Sequence, residues 1–126
     1  MANERLHLRF VYSANTDHSS PNPDSSLIEL TSSPTTVKWS PSMEITLSPT
    51  AVIAAGEWTT VTSLWVRNLD AAITLALGYT DAAATAQAID ILPGGAFFTQ
   101  DADPSVAITL TPSAGTPLAE VWVTGT

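Results

Sequence analysis

Short segments in which apolar and polar residues alternate dominate the pattern along this chain. The centre of the pattern is residues 62–98, where Leu64 and Val66 alternate with Trp65 and Arg67. Alternation with a period of two is typical of half-buried antiparallel strands, because successive side chains point to opposite faces of the sheet. The sequence therefore predicts that Leu64 and Val66 face a core and that Trp65 faces the other way.

Two turns divide this central region. The first covers residues 68–70, and the second reads Leu-Pro-Gly-Gly at residues 92–95. In the second turn, proline fixes φ at the early position and glycine accepts the positive φ that follows. We expect the strands around the first turn to be neighbours in a β-meander. Residues 80–88 are rich in alanine, and we expect a loop between strands there.

Further short strands are predicted on both sides of the centre. Pro34, Pro41 and Pro49 are expected to break or end strands in the first half of the chain. About eight short strands, with turn signals roughly every 8–12 residues, are typical of an antiparallel β-sandwich or barrel, and we predict a sandwich. We therefore predict a single all-β domain. The other predicted strands cover residues 6–12, 27–30, 37–40, 43–47, 58–61, 106–110 and 119–124.

The N-terminal part of the chain is predicted to be an arm. Residues 13–26 contain no apolar residue larger than alanine and carry two prolines. Loops longer than about 12 residues are usually functional or mobile. We divide the chain into residues 1–26, a strand and extended arm, and residues 27–126, the sandwich. Arg5 and Arg9 would protect an edge strand from unwanted pairing, or the strand would pair with a neighbouring subunit.

Charge and composition exclude several classes of function. The net charge is −8, only 13% of the residues are charged, and no lysine or arginine follows Arg67. Because phosphate contacts need lysine and arginine, we expect no nucleic-acid binding. No apolar stretch reaches the roughly 20 residues of a membrane helix, and no signal peptide is expected. The chain has no cysteine, which excludes disulfides and thiolate chemistry. A low content of charged residues suits a protein that buries surface against neighbours, and it is also typical of a threonine-rich β domain.

No group of residues predicts catalysis, a cofactor or a metal. His7 and His18 are the only histidines, and we interpret them as ordinary surface residues. Asp101 and Asp103 have the spacing of two calcium ligands, but they precede a proline and are typical of a turn that accepts backbone amides. The acidic residues show no spacing that selects a catalytic pair.

The four tryptophans are the most informative side chains. Trp65 and Trp122 each lie at the centre of a predicted strand, out of phase with their apolar neighbours. Three interpretations stay open for them: a second covered face, a subunit interface, or a platform for sugar rings. The residues that we expect to lie in an interface are Arg5, Arg9, Phe10, Tyr12, Trp65 and Trp122.

The second half of the chain resembles small virion structural proteins of tailed bacteriophages. The resemblance covers residues 62–126. It consists of Leu-Trp-Val-Arg-Asn-Leu-Asp, a strand ending near Gly78, Ile-Asp-Ile-Leu-Pro-Gly-Gly-Ala-Phe-Phe, and a terminal Val-Trp-Val-Thr-Gly-Thr. It implies a jelly-roll-like β-sandwich without catalytic residues, which decorates or cements a capsid or belongs to a tail.

The same resemblance implies partners and a location. They are the major capsid protein and further copies of this chain, as a homotrimer. We expect residues 1–26 to clasp the next subunit of such a trimer by adding a strand to its sheet edge. The protein would be made in the host cytoplasm and would lie on the capsid surface of the virion. Two other classes stay open, a tail, baseplate or fibre component and a carbohydrate-binding module.

Overall fold

The computed structural model describes residues 4–9, 27–32 and 36–126, and all regular secondary structure in these ranges is β-strand. The predicted all-β class is confirmed. The strands are β1 (Glu4–Arg9), β2 (Leu27–Ser32), β3 (Thr36–Glu44), β4 (Thr50–Ile53), β5 (Val61–Asn68), β6 (Leu75–Thr80), β7 (Ala86–Ile91), β8 (Ala96–Thr99), β9 (Ile108–Pro112) and β10 (Leu118–Gly125).

The chain divides into two compact units, Met1–Pro34 and Thr35–Thr126. In the first unit, β1 and β2 form a two-stranded antiparallel sheet in which Leu6 is opposite Leu30. The division falls after Pro34, whereas the sequence analysis ended the N-terminal arm at residue 26. The predicted arm itself, residues 13–26, lies outside the described residues.

The second unit is a sandwich of two antiparallel four-stranded sheets. The first sheet has the order β3-β10-β5-β8, and the second has the order β4-β9-β6-β7. The eight strands pair as nested hairpins, because β3 pairs with β10, β4 with β9, β5 with β8 and β6 with β7. Successive pairs alternate between the two sheets, which is the arrangement of a jelly roll.

The expectation of a central β-meander is wrong. β5 and β6 lie in different sheets, and among the strands of the second unit only β6 and β7 are both consecutive and paired. Alternation identifies the buried face of a strand but not its partner, because both sheets of a sandwich turn an apolar face inward. The loop at residues 69–74 instead spans the roughly 10 Å between the two sheets.

The core lies between the two sheets, as the alternation predicts. On β5, Leu64 and Val66 are completely buried, whereas Trp65 is only partly buried and Arg67 is exposed. β10 repeats the pattern in phase. The other completely buried aliphatic side chains are Ile45, Val52, Ile53, Leu75, Leu77, Ile108, Leu110, Ala119, Val121 and Val123.

β3 is one continuous strand, although Pro41 was expected to interrupt it. Ser40 pairs with Val121 and Met43 pairs with Ala119, so β3 contains one more residue than β10 at this point. This bulge contains Pro41. β3 is an edge strand, so a residue without an amide hydrogen costs no ladder hydrogen bond on the open side.

The turn predicted at residues 92–95 is confirmed at the level of single residues. In residues 92–95, the amide of Gly95 donates to the carbonyl of Leu92 over 2.8 Å, and Gly94 has a φ of 71°. This is the geometry that Pro93 and Gly94 favour. The loop expected at residues 80–88 is shorter than predicted and covers residues 81–85, because β6 extends to Thr80 and β7 begins at Ala86.

Candidate functional site

An aromatic row crosses all four strands of the first sheet on the face that points away from the core. Trp122 on β10 is opposite Trp39 on β3 and also opposite Trp65 on β5. Trp65 is in turn opposite Phe98 on β8. Side chains at directly opposite positions lie close enough to contact each other. We call Trp39, Trp122, Trp65 and Phe98 the aromatic row.

The strands fix this orientation through their buried neighbours. Trp65 lies between Leu64 and Val66, and Trp122 lies between Val121 and Val123, all four of which are completely buried. Because successive side chains of a strand point to opposite faces, burial of these neighbours turns both tryptophans outward. The structure thus places Trp65 and Trp122 as the alternation predicts.

Exposure differs along the row. Trp39 is 58% exposed, whereas Trp65, Trp122 and Phe98 are partly buried. The indole nitrogen of Trp122 is buried and has no hydrogen-bond acceptor within the described part of the chain. The fourth tryptophan, Trp58, belongs elsewhere, because it packs against the core. The structure therefore assigns one tryptophan to the core and three to the outer face.

Polar pairs border the aromatic row on both sides. Two residues along each strand from Trp65 and Trp122, the hydroxyls of Ser63 and Thr124 form a buried hydrogen bond of 2.6 Å. Two residues along each strand in the other direction, Arg67 is opposite Glu120. An apolar stripe with polar borders suits recognition of a protein surface or of sugar rings, and it contains no group positioned for proton transfer or nucleophilic attack.

A second apolar surface lies at one end of the sandwich. Four loops meet there, at residues 45–49, 69–74, 92–95 and 113–117. Each loop brings one exposed leucine, in or directly after the loop. The exposed fractions are 64% for Leu47, 40% for Leu69, 65% for Leu92 and 43% for Leu118. We call this surface the leucine end.

Hydrogen bonds join the four loops into one surface. The amide of Leu69 donates to the carbonyl of Leu118 over 3.0 Å, and the amide of Gly94 donates to that of Asp70 over 3.1 Å. The amide of Ile45 donates to Pro117 over 2.9 Å. Each bond connects two different segments, so the leucines are held on a common support.

Asn68 organises this end from inside. Its side chain is completely buried, and its Nδ2 atom donates to the carbonyls of Ile73 at 2.7 Å and Ile91 at 3.1 Å. Its Oδ1 atom accepts the amide of Asp70 at 3.0 Å. The sequence analysis placed Asn68 in a turn but gave it no role, although Asn-x-Asp is a signal for side chains that bond to the backbone nearby.

Asp70 continues the same turn. Its Oδ1 atom accepts the amides of Ala72 at 2.7 Å and Ile73 at 2.8 Å. These hydrogen bonds, first that from Ala72 and then that from Ile73, lower the pKa of Asp70 below its ordinary value. The carboxylate is therefore charged at neutral pH.

The opposite end of the sandwich is acidic. Its three loops, at residues 54–60, 81–85 and 100–107, carry Glu57, Asp81, Asp101 and Asp103 and no lysine or arginine. The hydrogen bond from the backbone amide of Thr85 lowers the pKa of Asp81 most, and the hydrogen bond from the side chain of Gln87 lowers it further. The backbone amide of Ser105 has the same effect on the pKa of Asp103.

Asp103 accepts the amide of Ser105 at 2.8 Å, which is the turn expected for this segment rather than a calcium loop. A cleft of about 310 Å³ lies between the loops of this end, lined by residues 59–61, 82 and 100–104. Within the described ranges, no group of three or more histidine, aspartate or glutamate side chains is placed to hold a metal ion. No helix in those ranges is long and apolar enough to cross a membrane.

The remaining interface candidates lie in the first unit. Arg5 and Arg9 are in β1, for which the structure describes the backbone pairing. Phe10 and Tyr12 lie outside the described residues. The interface role of all six candidates stays a prediction. Sequence reasoning missed Trp39 and Phe98, because membership of the row depends on which strands are neighbours.

Comparisons with family models, with curated proteins and with solved structures found no match to this chain.

Proposed function

We propose that this protein is a non-enzymatic structural protein of a tailed-phage virion, a capsid decoration or cement subunit. It would bind between major capsid subunits on the outside of the head and associate with itself as a homotrimer. The resemblance in the second half of the chain supports this reading. The jelly roll is compatible with it, because this fold is common in viral capsid proteins, but the fold alone does not define a function.

The observation that carries the proposal is the aromatic row. Three tryptophans and a phenylalanine occupy directly opposite positions on the outer face of a sheet, and Trp39 is 58% exposed. Large contiguous apolar patches on a protein surface usually mark a binding site, and tryptophan is enriched where interfaces are strongest. We assign this row to the contact between copies.

The proposal predicts that Trp39→Ala weakens the oligomer. Trp39 is the most exposed member of the row, so its truncation should leave the fold intact while it removes contact area between copies. Ser42→Ala, at an exposed position of the same strand, is the matched control. Light scattering should show a trimer for the wild type and the control, and a smaller mass for Trp39→Ala at the same concentration. A wild-type monomer would overturn the trimer.

A carbohydrate-binding module is the second candidate, because a row of aromatic rings on an open sheet face also suits stacking on sugars. Arg67 and Glu120 beside the row would supply hydrogen bonds to hydroxyl groups. Polysaccharide pull-down separates the two proposals. Binding that Trp39→Ala abolishes without a change in mass would favour the sugar-binding function.

A further inference from the structure

The two ends of the sandwich differ in chemistry. Among residues 37–126, the four exposed leucines lie at the leucine end, whereas Glu57, Asp81, Asp101 and Asp103 lie at the opposite end. An acidic end is well solvated, whereas exposure of leucine side chains to water is unfavourable and their burial lowers the free energy. The leucine end is therefore the end of this molecule that is suited to being covered.

The leucine end is also held in shape. The hydrogen bonds among its loops and the buried side chain of Asn68 fix the backbone that carries the leucines. A surface that is ordered before binding loses less conformational entropy when it binds. A cleft of about 230 Å³ lies beside Leu92 and is lined by Ile89, Asp90, Ile91, Gly95, Ala96 and Phe97. Its apolar part offers space for a side chain of a partner.

Charge decides between a second copy and a different protein. Glu44 is directly opposite Leu118, and Asp70 follows Leu69, so carboxylates border the leucines. The chain carries a net charge of −8, and Lys38 and Arg67 are the only lysine or arginine residues from residue 36 to the end. The Nζ atom of Lys38 donates a hydrogen bond of 2.6 Å to the carbonyl of Val52. Two leucine ends facing each other would bring carboxylates together, which disfavours a second copy.

We infer that the leucine end docks on a different protein, one that offers an apolar surface bordered by lysine or arginine. This inference rests on the proposed function, in which the partner is the capsid shell. It assigns the two apolar surfaces to different contacts. The aromatic row serves contact between copies, and the leucine end serves attachment to the shell.

The test uses the full-length protein and capsids stripped of it. Leu47→Ser combined with Leu92→Ser removes the two most exposed leucines, and Val106→Ser, at an exposed apolar position of the acidic end, is the matched control. We expect the double variant to bind capsids about tenfold more weakly or worse, with an unchanged mass by light scattering and an unchanged melting temperature. The control should bind as the wild type does.

A charge reversal tests the border separately. Glu44→Lys should weaken capsid binding several-fold at low salt, and Asp101→Lys at the acidic end should not. If the leucine variant and Glu44→Lys both bind capsids as tightly as the wild type does, the inference is wrong, but the proposed function stands. A change in mass in the leucine variant overturns it in favour of a second copy. A wild type that does not bind stripped capsids overturns the proposed function and this inference together.

Discussion

Gly125 lies where β10 meets the end of the loop between β4 and β5, and there is no space for a side chain. A Cβ atom at this position would overlap the carbonyl oxygen of Thr60 and lie 2.8 Å from Cε3 of Trp58. Thr60 and Thr126 exchange backbone hydrogen bonds of 3.1 Å beside it. The close approach of two backbones thus requires glycine, although the φ of Gly125 is not in the left-handed region.

Gly125→Ala should therefore destabilise the protein by about 3 kcal/mol, because either the backbone or Trp58 must shift. Gly56→Ala is a useful control. Its Cβ would meet no atom within 4 Å, so the cost, about 1 kcal/mol, comes only from its φ of 70°. Urea unfolding of the two variants measures both values. An equal effect of the two substitutions would contradict the steric explanation.

At the scale of secondary structure elements, one side chain joins three segments. Asn68 ends β5 and bonds to the loop before β6 and to the last residue of β7. Because these strands belong to different sheets, Asn68 ties the two sheets together at the leucine end. Its amide is buried, so water cannot replace a lost hydrogen bond easily.

Asn68→Ala should destabilise the protein by about 2–4 kcal/mol, because buried carbonyls lose their donor. Asn68→Asp provides the comparison that isolates this cause. Aspartate has nearly the same shape but turns an acceptor towards Ile73 and Ile91, so it should be no better than alanine. Chemical denaturation measures the change in free energy. A loss below about 0.5 kcal/mol for Asn68→Ala would contradict this role.

The sequence predicts the faces of the strands better than their neighbours. Leu64, Val66 and Trp65 are placed correctly by alternation alone, since the face of a side chain depends only on its position in the strand. The β-meander and the break at Pro41 are wrong, since strand pairing and edge position depend on distant parts of the chain. For the same reason, Trp65 and Trp122 could be proposed from the sequence, but the row they form could not.

At the scale of the whole molecule, the jelly roll explains why residues far apart in the sequence lie together at one end of the sandwich and share the same chemistry. Nested pairing places every second loop at the same end, so single exposed leucines from four loops lie at one end of the sandwich. The same rule collects the acidic residues of three other loops at the opposite end. Neither collection is visible as a cluster in the sequence. The fold therefore converts scattered residues into two ends of opposite chemistry.

Three hydrogen-bonded aspartates also predict how the free energy of unfolding depends on pH. Hydrogen bonds in the native state, chiefly from backbone amides, lower the pKa values of Asp70, Asp81 and Asp103 below the unfolded value of about 3.9. A group with a lowered pKa in the folded state stabilises that state above its unfolded pKa, and the contribution is lost as the pH falls through the folded pKa. We therefore expect these three groups to make the free energy of unfolding fall below about pH 4.

Replacing all three aspartates with asparagine tests this expectation. Asparagine keeps an oxygen that can accept the amides, but it does not titrate, so the triple variant should lose less stability between pH 4 and pH 2 than the wild type does. Urea unfolding at a series of pH values measures both slopes, with the wild type at each pH as the reference. Identical slopes would show that other carboxylates control acid unfolding and would assign these three hydrogen-bonded turns no part in it.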